Sequence, residues 1–403
     1  MTLEFKTQYL EAIRNRYFNS SKKGKTQILN ELCKVTGYSR KHAIKVLTTG
    51  HMTGRKNSGR TKMYSPEAKI QLQKLWQIMG QICSKKMVAA IPIWLNYYQD
   101  KDLCELVRAE LLSMSSATID RYLKTYKKQF LRRKRSGTRR SRKFNNIIPI
   151  KSFDQLASKP GYIQADTVAH CGNSVSGLHV WSMTITDEYS GWTECRAMWG
   201  KGGGSPLDAI HYAFSSLPFK AISFNSDNGS EFLNDGIHSY ICNQQGIQFT
   251  RSRPYKKNDN AFVEQKNFTH VREIFGYDRF EFKELVDPMN EIYGKYFCAL
   301  HNFFIPQQKL ISKVRVGSKY IKKYDKAKTP YQRVMESPDI SKHDKNLLQE
   351  RFEKLNPVIL KAEIDRLYNE FLKFNKRLTQ DREDLRAFYQ ERSAKFIPKP
   401  KVA

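Results

Sequence analysis

Residues 221–232 read Ala-Ile-Ser-Phe-Asn-Ser-Asp-Asn-Gly-Ser-Glu-Phe. The first part, Ala221–Asn225, is a short, largely apolar run of strand length. It leads into Asp227-Asn228-Gly229, a tight-turn signal: Asp and Asn accept hydrogen bonds from nearby backbone, and Gly tolerates positive φ. A core strand that stops on a carboxylate gives the frame for its surroundings. Upstream, Tyr162–His170 reads as a strand with Asp166 in its middle. Leu178–Thr186 alternates, with Trp181, Met183 and Ile185 on one face, and Tyr189-Ser190-Gly191 turns the chain into a third strand, Trp192–Trp199. Gly202-Gly203-Gly204-Ser205-Pro206 breaks the chain and opens a helix to about Phe214. Downstream, Gln248–Ser252 is another strand and Asn260–Phe275 a long helix. Three hairpin-linked strands followed by alternating helices and strands predict a mixed five-stranded sheet with helices on its faces.

Three acids stand in unusual places in this core. Asp166 lies mid-strand, Asp227 at a strand end, and Glu264 on the helical stripe of Ala261, Phe268, Val271 and Phe275. A carboxylate among apolar positions is costly to bury unless it is paired or holds a metal ion. Three on core elements point to a shared site for a hard divalent cation, because Mg²⁺ and Mn²⁺ prefer oxygen ligands. Two such ions activate the attacking oxygen and stabilise the leaving one at a phosphodiester. Glu231 is a rival ligand but reads as structural or secondary, and Asp187 and Glu188 read as hairpin-turn residues. No Ser–His or Cys–His arrangement competes, and the glycines at 202–204 lack phosphate-loop spacing.

The segments Gln164-Ala165-Asp166-Thr167, Asn225-Ser226-Asp227-Asn228-Gly229-Ser230-Glu231-Phe232 and Val263-Glu264-Gln265-Lys266-Asn267 resemble the DDE catalytic core of retroviral-integrase-like transposases of bacterial insertion sequences. Sixty residues lie between the first two acids and 36 between the second and third, intervals that suit that family. The resemblance spans roughly residues 155–280. It implies a ribonuclease-H-like fold, with Asp166, Asp227 and Glu264 as catalytic metal ligands, two Mg²⁺ (or Mn²⁺) ions as cofactors, and Asn228 and Asn267 in support. It also implies strand cleavage by water, then attack of the freed 3′-OH on target DNA. Two helix positions that are often basic in relatives are Phe268 and Val271 here, which leaves Lys266 and Arg272 as this helix's candidates for DNA contact.

Charge shows what flanks the core. The chain carries 70 Lys and Arg against 39 Asp and Glu, a net charge of +31. Residues 1–150 hold 32 bases and 9 acids (net +23), 151–300 hold 14 and 17 (−3), and 301–403 hold 24 and 13 (+11). A near-neutral centre between two basic arms points to nucleic acid as partner. Residues 1–50 read as helix-turn-helix: a helix through Val35 stops at Gly37, Ser39 caps a second helix, and Arg40, Lys41 and Lys45 face the duplex. Residues 65–130 continue helically from about Pro66 to Tyr98, then form a second helix-turn-helix pair, Leu103–Leu112 and Ala117–Tyr126. Residues 131–150 form a basic linker whose Arg132, Arg133, Lys134, Arg135, Arg139 and Arg140 would lie along phosphates. Lys256 and Lys257 lie in a basic loop ahead of the catalytic helix. Residues 281–340 read as a small domain with short alternating stretches such as Ile311–Val316. Residues 341–403 read as a helical extension broken at Pro357.

Seven scattered cysteines, none spaced C-x-x-C, fit reduced thiols and no zinc site. No signal peptide or membrane span is expected. The sequence therefore predicts a multidomain cytoplasmic, nucleoid-associated bacterial enzyme that acts on double-stranded DNA as a homo-oligomer, with no membrane or small-molecule partner. The rival expectations are a catalytically silent DNA-binding regulator and a nuclease that only hydrolyses.

Overall fold

The computed structural model describes residues 3–49, 64–127, 150–151, 157–252, 261–316 and 318–395. Arg132, Arg133, Lys134, Arg135, Arg139 and Arg140 of the basic linker, and Lys256 and Lys257, lie outside them. The chain forms two compact units, residues 1–63 and 64–403.

The first unit holds α1 (Leu3–Phe18), α2 (Lys22–Thr36) and α3 (Arg40–Thr49). Ser21 caps α2, and Gly37 ends it at φ 73°, where its N–H reaches the Cys33 carbonyl. Leu10, Ile13, Leu29, Leu32, Ala43 and Leu47 close a small core. Arg40, Lys41 and Lys45 are exposed on α3.

The second unit begins with α4 (Pro66–Ile78), α5 (Ser84–Trp94), α6 (Glu105–Ser113) and α7 (Ser116–Lys127). The single helical run expected from Pro66 to Tyr98 is two helices, divided where Gly80 and Gln81 both take positive φ, 72° and 60°. These helices bury Leu72, Trp94, Leu111 and Leu123 in the same core as Trp192, Phe303 and Phe304. The Trp94 indole donates to the Phe304 carbonyl at 3.0 Å.

The sheet holds β1 (Ile150–Lys151), β2 (Tyr162–Ala169), β3 (Val180–Asp187), β4 (Thr193–Trp199), β5 (Ser223–Ser226) and β6 (Gln248–Ser252), in the order β1-β6-β5-β2-β3-β4. The five expected strands are present, and the two-residue β1 extends the sheet beside β6. β2–β3–β4 is antiparallel; β5 runs parallel to β2 and β6 parallel to β5. One face packs on α8 (Ser205–Ser216) and α9 (Asp235–His238) through Ile163, Ala165, Phe224 and Phe249. By strand alternation Gln164 and Asp166 point to the other face. There α10 (Ala261–Lys266) runs through a π-helical turn, Asn267–Arg272, into α11 (Glu273–Phe275).

Edge strand β4 is covered by α12 (Val286–Glu291), a π-helical turn (Ile292–Phe297) and α13 (Cys298–Phe304). Two side-chain amides stand in for a neighbouring strand. Asn302 accepts from the Thr193 N–H and donates to its carbonyl, both at 2.9 Å. Asn290 does the same at Ala197, at 2.7 and 3.0 Å. The outward backbone groups of Thr193 and Ala197 are thereby satisfied without another strand. A hairpin, β7 (Leu310–Val316) and β8 (Lys319–Tyr324), then precedes α14 (Pro330–Glu336), α15 (Lys342–Glu353) and α16 (Pro357–Lys395). The break expected at Pro357 separates α15 from α16, which buries Ile364 and Phe371.

Candidate active site

Strand register brings the first two acids together. Ala165 of β2 is level with Ser226 of parallel β5. One residue on in each chain are Asp166 and Asp227, on neighbouring paths about 5 Å apart. Asp227 has left the strand, and its Oδ1 accepts from the Gly229 N–H at 2.8 Å, the turn expected from Asp-Asn-Gly. Asn228 ties that turn to β6: it donates to the Ser252 carbonyl at 3.0 Å and accepts from Arg251 at 3.1 Å.

Asp166 is held from two sides. Its Oδ1 accepts from the Thr167 N–H at 2.8 Å and its Oδ2 from the Asn267 amide at 2.7 Å. Burial pushes the Asp166 carboxyl up to about 8, the Asp227 charge adds to this and Glu264 adds a smaller share, while the two donors oppose it. The Glu264 charge is thus felt at Asp166. Glu264 sits three residues before Asn267, so the two share a helical face.

Glu264 is not on the buried stripe, contrary to the sequence reading. It is exposed, and the buried positions are Val263, Lys266, His270, Val271 and Phe275. The π-helical turn at Asn267–Arg272 explains the difference. Its wider turn shifts the phase, so a 3.6-residue stripe drawn back from Phe275 reaches the wrong residue. Lys266 also needs correction as a DNA contact. It is buried, its amine donating to the Gly191 carbonyl and the Gln307 side chain. Burial, with Lys86 nearby, lowers its pKa well below the usual lysine value. Gly191 takes φ +75°, and a Cβ there would meet Gln307 Oε1 at 2.6 Å. Arg272 is likewise occupied within the fold, donating to the Ala169 and Gly276 carbonyls at 2.9 and 3.2 Å.

Glu231, read from the sequence as structural or secondary, has partners there that the sequence did not show, and so does Gln164. Glu231 is buried, accepts from Thr167 Oγ1 at 2.9 Å and lies 3.6 Å from the exposed Lys201 amine. Gln164 accepts from the Val263 N–H at 3.4 Å and so meets the start of α10. The Ser-Glu-Phe continuation of the turn was a signal for Glu231; nothing local marked Lys201.

Among the described residues, no three His, Cys, Asp or Glu side chains already converge where they could hold a metal ion. The donor chemistry nevertheless fits a hard cation. The ligating atoms on offer are all oxygen, and the Asp166 carboxyl is raised partly by like charges that a cation would offset. No helix among the described residues is long and apolar enough to cross a membrane.

The model of the "Integrase core domain" family matches residues 157–257, the stretch that holds β2 to β6. The "Uncharacterized protein y4rM" of Sinorhizobium fredii (strain NBRC 101917 / NGR234) is 36% identical over 331 residues, which cover 80% of this chain and 93% of that protein. Among solved structures, the catalytic core domain of BIV integrase is 16% identical, covering 44% of this chain and 94% of its own, with a TM-score of 0.26. The simian T-cell lymphotropic virus intasome in complex with PP2A regulatory subunit B56 gamma is 14% identical, covering 59% of this chain and 73% of its own, with a TM-score of 0.29. With a relative of this identity along most of its length, the chain belongs to the same family as that rhizobial protein, and its sheet, within residues 157–257, is an integrase core domain.

Proposed function

We propose that the chain is a transposase that cleaves and joins the DNA ends of a mobile element. An integrase core carries polynucleotidyl-transferase-type chemistry. The observation that carries the finer reading is the placement of Asp166 and Asp227 on adjacent parallel paths, with Asp166 hydrogen-bonded to Asn267 on the helix of Glu264. Asp166, Asp227 and Glu264 would hold Mg²⁺ or Mn²⁺; when bound, two such ions stabilise both the attacking and the leaving oxygen of a phosphodiester. The chain's own residues supply orientation. The Gly229 N–H fixes one oxygen of Asp227, Thr167 and Asn267 fix both oxygens of Asp166, and Asn228 anchors the turn to β6. In this reading α3 presents Arg40, Lys41 and Lys45 to duplex DNA, and Arg132, Arg133, Lys134, Arg135, Arg139, Arg140, Lys256 and Lys257 add phosphate contacts. Joining two ends in one event requires two active sites, so the working form is a homo-oligomer on DNA.

The test is a strand-transfer reaction with Mg²⁺ and pre-cut duplexes that carry the sequences flanking the gene. Joined product is expected. Nicking without joining would make the protein a nuclease, and binding without either would make it a regulator. Asn267→Ala is expected to lower joining roughly 10- to 100-fold by releasing one Asp166 oxygen, with duplex binding unchanged. Equal rates for variant and wild type would show that Asp166 is oriented without it.

A further inference from the structure

The β7–β8 hairpin is unlike the rest of the second unit. The described residues of β8 are all exposed, and Ile311, Val314, Val316, Tyr320 and Ile321 are each more than half exposed, at 53–60%. A two-stranded ribbon is marginal alone in water, and exposed apolar side chains on open strands invite association. Residues 310–324 carry five bases, at 313, 315, 319, 322 and 323, and no acid. Lysine on an exposed strand also guards against edge pairing. Five in a stretch that contains no acid make a field for a polyanion.

The register distributes these groups. Arg315 pairs with Tyr320, Val314 with Ile321 and Val316 with Lys319. Directly opposed residues share a face. One face therefore carries Arg315, Tyr320 and Lys322, and the other carries Val314, Val316 and Ile321 flanked by Lys319 and Lys323. The six registered pairs make a ribbon about 20 Å long. A two-stranded ribbon of this kind fits the major groove of a duplex, about 12 Å wide, where apolar side chains meet thymine methyls and cations reach the flanking phosphates.

The base of the ribbon is fixed to the catalytic helix. Gln307 pairs through its backbone with Lys328, and its side chain takes the Lys266 amine. Asp325 accepts from the Lys309 N–H and is ion-paired to Arg333 at 2.7 Å. Lys266 is two residues from Glu264, so the ribbon springs from the side of α10 turned away from that acid. Its root is about one helix diameter, ~10 Å, from the Glu264 face.

We propose that the β7–β8 ribbon is a duplex-DNA arm that enters a groove beside the DNA held at Asp166, Asp227 and Glu264. This rests on the transposase reading above and assigns that site a second point of hold on its substrate. The experiment measures binding of the full chain to a random-sequence duplex across a salt series. Changing Lys319, Lys322 and Lys323 together to Ala is expected to flatten the log–log salt dependence by about two to three units and to weaken binding roughly tenfold or more. The Arg versions of the same three changes are expected to keep both. With benzoylphenylalanine in place of Tyr320, photocrosslinks to the duplex are expected, a readout that holds even if the Ala variant misfolds. If wild type binds and the folded Ala variant has the same slope, the arm proposal is wrong while the transposase reading stands. A Tyr320-site crosslink to a second protein chain alone would make the ribbon a chain–chain contact. No duplex binding by wild type would overturn both.

Discussion

Asp227→Asn is expected to abolish both cleavage and joining, by at least about 10³-fold, or ~4 kcal/mol of transition-state stabilisation, while duplex binding stays within about twofold. The substitution is nearly isosteric. The Asn oxygen can still accept from the Gly229 N–H, so the turn at 227–229 and its tie to β6 through Asn228 should survive. What is lost is a negative charge beside Asp166. In the proposed site that charge would serve a hard cation, and without the cation it is a cost, since it raises the Asp166 carboxyl. The variant should therefore be no less stable than wild type and should hold divalent metal more weakly. Single-turnover assays on pre-cut and uncut ends, with binding measured in Ca²⁺, separate the two properties. Loss of binding in parallel with activity would show that Asp227 maintains the fold or the DNA surface, and the catalytic assignment would fail.

The second large effect is on stability. Trp94→Ala is expected to cost about 3–5 kcal/mol, the range for removing a large buried aromatic side chain. Trp94 is fully buried, and its indole donates to the Phe304 carbonyl across 210 residues of sequence. The deletion leaves a cavity between α5 and α13 and deprives a buried carbonyl of its donor, which adds to the cost. A fall in Tm of about 4–7 °C follows for a unit of this size. Because α4 to α7 share one core with Phe303 and Phe304, the loss should appear in a single cooperative transition of the second unit. A separate early transition for residues 64–127, or a loss below about 1 kcal/mol, would show that these helices fold apart from the sheet.

Much of the core was legible because its signals are local. Alternation marked β3, turn chemistry placed Asp227 just after β5, and Gly37 and Pro357 marked helix boundaries. The misreadings share a cause, which is that helical phase was extrapolated through irregular backbone. The π-helical turn at Asn267–Arg272 moved Glu264 off the buried stripe and left Lys266 on it. Positive φ at Gly80 and Gln81 split a run that periodicity read as continuous. Neither departure has a period of its own, so a window of hydrophobicity cannot detect it.

Asp166, Asp227 and Glu264 were nominated by the sequence alone, with the sheet that carries two of them, since strand alternation and Asp-Asn-Gly turn chemistry act over a few residues. Tertiary structure decided which groups meet across long separations. Register set Asp166 beside Asp227, Asn267 reached Asp166, Asn290 and Asn302 closed the β4 edge, and Lys266 turned inward to hold the root of the β7–β8 ribbon. These contacts depend on the packing of whole elements. A buried lysine or a capping amide is compatible with its position only when the carbonyl it needs arrives from elsewhere in the chain, and no neighbouring residue records that arrival.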